Sequence, residues 1–165
     1  LIMDKKKKAR LKLVLVVVVI LSGIIACLLA LNYLGREEPT EQVYLKISTN
    51  GKELSVQAEL AVTQKDHKTG LMYRDKLCED CGMFFVFDSN VTSGFWMKNC
   101  LIPLDIIFID EDGCVVDIKE DFEPCEQDPC QIYVPQKQYR YVLEVNSGWC
   151  SKNNVDLEAV LDLVH

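Results

Sequence analysis

The chain has 165 residues, 49% hydrophobic and 26% charged, which excludes a disordered polar chain and allows one ordinary domain plus an appendage. The formal charge of −7 hides an asymmetry: residues 1–35 hold six basic groups and one acid, leaving 12 basic and 24 acidic residues, a net of −12, over 36–165. A body that acidic repels phosphate backbones, so nucleic acid is not expected as a partner.

Residues 1–12 form a basic segment with Lys5, Lys6, Lys7, Lys8, Arg10 and Lys12. Residues 13–34, LVLVVVVILSGIIACLLALNYL, then run without a charge or a proline. As a helix they would measure about 33 Å, close to the roughly 30 Å hydrocarbon core of a bilayer. Basic residues on the N-terminal side place that end in the cytoplasm and the body on the far side. Three readings compete. An uncleaved single-pass signal anchor is favoured by length, since signal-peptide apolar cores are roughly 7–15 residues long. A cleaved signal would have to use Leu28/Ala30, a poor pair for cleavage. A lipoprotein signal would use Ile24-Ile25-Ala26-Cys27 and lipidate Cys27, but the run stays apolar beyond that cysteine. All three put the body outside the cytoplasm, with the membrane a partner through residues 13–34.

Residues 35–41 read as a charged linker and 42–165 as the extracytoplasmic domain. Val43, Leu45 and Ile47 alternate with polar residues, Asn50-Gly51 follows, and Leu54 to Val62 alternate again, which predicts a hairpin with a type I′ turn. Thr63 is placed to cap a short helix. MFFVF (83–87), Gly94–Lys98, Leu104–Ile109, Cys114–Ile118 and Tyr139–Val145 read as strands. Asp110-Glu111-Asp112-Gly113 marks a second hairpin, and Val155–Val164 a short terminal helix or a weak strand–helix end. About seven strands with one or two short helices predict a mainly β fold, a β-sandwich or partly open barrel.

Seven of the eight cysteines lie in the body, a density that reads as a disulfide framework in an oxidising compartment. Cys125 and Cys130 bracket the turn-forming Glu-Gln-Asp-Pro and make the best pair. Cys78-Glu79-Asp80-Cys81 admits three readings: a staple, a thiol-redox pair, or half of a zinc site with Cys125/Cys130. The two acids between the cysteines raise thiol pKa values and oxidising conditions disfavour zinc, so the staple is preferred and no metal or cofactor is expected. Cys100 is expected to join a disulfide.

Several stretches together resemble a known family. They are Glu59-Leu60-Ala61, GLMYR (70–74), GMFFVF (82–87), FWMKN (95–99), IPLDIIFID (102–110), Pro124-Cys125 with Cys130, and YVLEVN (141–146) with Gly148. They are similar to the family catalogued as domain of unknown function 192, over about residues 42–154. The resemblance implies a compact β-rich domain behind a signal or anchor, and no reaction. The chain departs from the pattern at Cys100, where the family usually has Thr, and at Cys78 and Cys81, which look like additions. It departs again at Val155-Asp156-Leu157, which replace a Gly-Asp turn after the Gly148 helix.

Alternation in FWMKN turns Phe95 and Met97 to one side and Trp96 and Lys98 to the other. An aromatic ring beside a cation can hold a ring or sugar and its polar groups. Asn99 can add an amide. Glu59, Asp105 and Glu144 interrupt apolar strands, and Arg74 follows Gly70-Leu71-Met72. These seven residues make one candidate ligand cleft. Two neighbouring carboxylates could also work as general acid and base on an envelope polymer. The competing structural reading pairs each carboxylate with Arg, Lys or backbone amides. His67 is expected in solvent. The functional expectation is a membrane-tethered domain that binds an envelope ligand or protein without chemistry; the alternatives are a carboxylate hydrolase and a Cys78/Cys81 redox protein.

Overall fold

The computed structural model describes residues 14, 15, 18–29 and 41–162. The chain divides into two units, Leu1–Pro39 and Thr40–His165. In the first unit the described residues are helical, and their large apolar side chains, such as Val19 and Leu29, are exposed. Among the described residues no helix is long and apolar enough to cross a membrane. The anchor expected over 13–34 includes residues 13, 16, 17 and 30–34, which lie outside the described residues.

The second unit is built on β1 (Gln42–Thr49), β2 (Lys52–Ala61), β3 (Cys81–Val91), β4 (Phe95–Trp96), β5 (Leu104–Ile109), β6 (Val115–Phe122), β7 (Ile132–Tyr133), β8 (Tyr139–Asn146) and β9 (Val160–Asp162). Two short helices, α1 (Gln64–Thr69) and α2 (Trp149–Asn153), complete it. β1 and β2 form the expected hairpin. Its turn residues Asn50 and Gly51 both have positive φ, +47° and +73°, as a type I′ turn requires. α1 starts in a capping box: Thr63 Oγ1 accepts the Asp66 amide while the Asp66 carboxylate accepts the Thr63 amide at 2.9 Å.

Seven strands form one sheet in the order β6-β5-β8-β3-β2-β1-β9, and β4 and β7 form a separate ribbon. The sheet curls until its ends meet at one point. Cys114 bridges Val160, the Val115 amide donates to Ala159 O at 3.1 Å, and the Leu161 amide donates to Gly113 O at 2.8 Å. The result is the partly open barrel rather than the sandwich. β2 and β3 pair in parallel, which the residue pattern did not reveal, and the 62–80 connection carrying α1 is the crossover that parallel pairing demands.

Alternation along the strands serves two cores. Leu45, Val56, Phe84, Ile107, Leu143 and Val145 turn inward, together with Trp149 and Cys150 of α2. Met83, Phe85, Ile106, Phe108 and Val142 turn to the opposite face, where Leu71, Met97 and Tyr139 cover them. Phe95 packs onto this second core and Met97 is 1% exposed, so both face a core as their alternation predicts. Burial of a side chain of this size removes enough apolar surface to stabilise the fold by roughly 1.5–3 kcal/mol. The covered outer face positions the site.

Candidate ligand cleft

Pairing registers set Glu59 of β2, Met83 of β3, Glu144 of β8 and Ile106 of β5 in one row across the sheet. Met83, Ile106 and Glu144 are buried. The Glu144 carboxyl has no hydrogen-bond partner among the described residues, and burial pushes its pKa up to about 8. It is therefore mainly neutral at pH 7 and offers one O–H donor and one acceptor. It forms part of the wall of a narrow cleft shared with His67, Gly70, Phe85, Trp96 and Cys100.

Gly70 shapes the approach. Its φ is +46°, a conformation that side chains resist, and a Cβ there would stand 3.5 Å from the Phe85 ring and 3.9 Å from Glu144 Oε2. His67, expected in solvent, is half-buried: its ring lies 4.5 Å from that of Phe87 and its Nε2 lies 3.1 Å from Ala61 O. His67 is the residue of the capped helix α1 that reaches the sheet through these contacts.

Trp96 and Lys98 stand at the mouth. The Trp96 indole is 48% exposed, and Lys98 Nζ lies 5.7 Å from its ring centroid. Lys98 also donates to both carboxylate oxygens of Asp128, each at 3.1 Å. Asn99 is a tie rather than a contact in the cleft. It adopts φ +58°, which asparagine tolerates, its carbonyl accepts the Tyr73 amide at 2.8 Å, and its Nδ2 lies 3.6 Å from Met72 Sδ.

The remaining candidates are occupied elsewhere. Arg74 pairs with Glu59 at 2.6 Å, so those two neutralise each other. Asp105 faces the other way and accepts three backbone amides: Cys150 at 2.9 Å, Asp121 at 3.0 Å and Gly148 at 3.2 Å. It fastens the start of α2 and the end of β6 to β5. Of the seven candidates, Trp96, Lys98 and Glu144 line the cleft; His67, Gly70, Phe85 and Cys100 belong with them and were missed. The capping box before His67 and the left-handed demand at Gly70 were the available signals.

The cysteines divide into bonded and free. Cys125–Cys130 is a disulfide, as expected, with Cα atoms 5.5 Å apart. Cys78–Cys81 is bonded too, with Cα atoms 5.1 Å apart, so the staple reading fits this pair. Cys125, Asp128 and Cys130 come close enough to share an ion, but the two sulfurs bond each other. Cys100 is a free thiol rather than a disulfide partner, and burial, followed by the nearby Glu144 charge, pushes its pKa up to about 12. That thiol is a poor nucleophile at neutral pH.

The fold has solved relatives. A protein from Sinorhizobium meliloti described as a "putative transcription regulator" superposes with a TM-score of 0.72 at 31% identity, over 77% of this chain and 97% of that one. A protein of unknown function from Novosphingobium aromaticivorans superposes with a TM-score of 0.70 at 25% identity, over 78% of this chain and 94% of that one. No curated protein gave a significant match. The family model DUF192, "Uncharacterized ACR", matches residues 45–163. The matched span includes FWMKN and YVLEVN, which supply the mouth of the cleft and Glu144, and the chain belongs to the DUF192 family.

Proposed function

We propose that this chain is a membrane-tethered, extracytoplasmic binding domain whose ligand or partner enters the Glu144 cleft and is not chemically altered. One observation carries the binding part: a buried carboxyl with no partner among the described residues faces a cleft whose mouth holds a half-exposed Trp96 and Lys98. Among the described residues the buried side-chain atom left without a partner is Arg140 Nε, so the Glu144 oxygens open onto the cleft, where a ligand or water can bond them. The tether rests on the uncharged 13–34 run behind six basic residues, and the compartment on that run together with two disulfides.

The hydrolase reading loses support, because Asp105 and Glu59 are committed to backbone amides and Arg74 and leave Glu144 without a second free carboxyl. A regulator of transcription, the description attached to one solved relative, sits poorly with a body of net charge −12. The test is a ligand screen on the full-length protein by Trp fluorescence, repeated with Trp96→Ala and Lys98→Ala. Equal binding by all three proteins would reject the cleft. Protease shaving of intact cells tests the compartment separately, and a body protected from protease would reject that part.

A further inference from the structure

The cleft stands out electrostatically from the domain that holds it. Over residues 36–165 acids outnumber bases two to one, 24 to 12. Yet the ionisable groups lining the cleft are Lys68, Lys98, His67, the Cys100 thiol and Glu144. With Glu144 mainly neutral, the lining includes two lysines, of which Lys98 is paired with Asp128, and no other carboxylate residue. The space is small, about 30 Å³. That is room for about two water-sized groups and too little for a whole ring. A ligand can therefore insert only an end group, leaving the rest of it on the exposed Trp96 indole.

Resting on the binding reading above, we infer that the cleft takes the carboxylate end of a small ligand, with Glu144 donating to one oxygen, Lys98 meeting the charge and Trp96 supporting a flat or apolar remainder. Two oxygens match the space, whereas a phosphate adds a third and fourth. Lys98 already holds one carboxylate from outside the cleft lining: Asp128 meets it through both oxygens, in the loop that the Cys125–Cys130 disulfide closes. Asp128 is thus an internal competitor for the ligand. The sign of the pH response follows. A donor at Glu144 is lost as pH rises through about 8, and the resulting carboxylate repels the ligand. An ammonium ligand would respond oppositely, binding more tightly as Glu144 ionises.

Three probes of one shape separate the possibilities: phenylacetate, phenylacetamide and phenethylammonium, titrated into full-length protein in detergent micelles. The readout is the Trp96 indole N–H resonance, identified by its loss in Trp96→Phe. Phenylacetate is expected to bind best, and its affinity to fall about tenfold between pH 7 and 9, as the neutral fraction of Glu144 does. Glu144→Gln should flatten that profile, Lys98→Ala should weaken binding, and Asp128→Asn should tighten it. Preference for phenethylammonium with affinity rising through pH 8 overturns the assignment, as does a phenylacetate affinity indifferent to Asp128→Asn. Silence from all three probes also overturns it, while the broader binding reading stands or falls on the unbiased screen.

Discussion

Asp105 and Glu144 stand on adjacent antiparallel strands, one residue out of register, and point to opposite faces of the sheet. Asp105 pairs with Val145, and Glu144 with Ile106. One carboxylate fastens α2 through the amides of Gly148 and Cys150; the other faces the cleft with no donor. Their substitutions should separate. Asp105→Ala leaves three amides without their acceptor and is expected to cost about 3 kcal/mol. Asp105→Asn, which keeps one acceptor oxygen, should cost less. Glu144→Gln should leave the fold intact and alter only the cleft. Urea denaturation of the three variants checks this, and an unstable Glu144→Gln protein would contradict the division.

Glu144 also sets a pH dependence of stability. Its carboxyl titrates near 4.5 when unfolded and is pushed up to about 8 by burial in the folded chain. Between those values the folded state holds the proton more tightly, so stability falls as pH rises. The advantage is full below pH 4.5 and is lost once pH passes about 8. The span corresponds to a few kcal/mol at most, since water entering the open cleft reduces the burial penalty. Comparison with Glu144→Gln isolates this one group from other titrations. Melting curves from pH 5 to 9 should show the wild-type protein losing stability relative to the variant; parallel curves would show that the carboxyl is solvated.

Local signals read well in this chain, and non-local ones did not. Asn50-Gly51 specified its turn because only a few residues accept two successive positive φ angles. FWMKN showed its facing through a local alternation of apolar and polar residues, which buried Met97 and exposed Trp96 obey, although the strand itself spans only Phe95–Trp96 and not Gly94–Lys98. The parallel β2–β3 pair could not be read, because nothing in Lys52–Ala61 or Cys81–Val91 encodes which neighbour each strand takes. Three carboxylates in apolar strands looked equivalent for the same reason. Parity along a strand distinguishes faces within one strand, but the pairing register decides which face a neighbour shares. Asp105 and Glu144 therefore became distinguishable only with the register known. β7, two residues long, lacks the length for any pattern.

Cysteine reactivity should follow burial. Among the described residues of the body, the free thiols are Cys100, Cys114 and Cys150. Cys114 is exposed at the point where the barrel ends meet and should alkylate first. Cys100 is held as a thiol by burial and then by the Glu144 charge, and burial raises Cys150 further. Iodoacetamide at pH 8 followed by peptide mapping is expected to label Cys114 in the native protein. Cys100 and Cys150 should be labelled only after denaturation. Rapid native labelling of Cys100 would show a thiolate in the cleft and reopen a covalent chemistry there.

The disulfide next to the cleft has an effect beyond its own loop. Cys125–Cys130 closes a short turn that presents Asp128 to Lys98, while the Cys125 amide donates to Met97 O at 3.1 Å. Closing a loop this short limits the unfolded chain by about 2 kcal/mol. Replacing both cysteines by serine should lower stability by that amount. It should also loosen Asp128, free Lys98 and tighten phenylacetate binding in the direction expected for Asp128→Asn. Denaturation and titration of the double variant measure the two effects separately. A stability loss without any change in binding would show that the Met97–Cys125 hydrogen bond alone holds the turn, and that Asp128 keeps its grip on Lys98 without the covalent link.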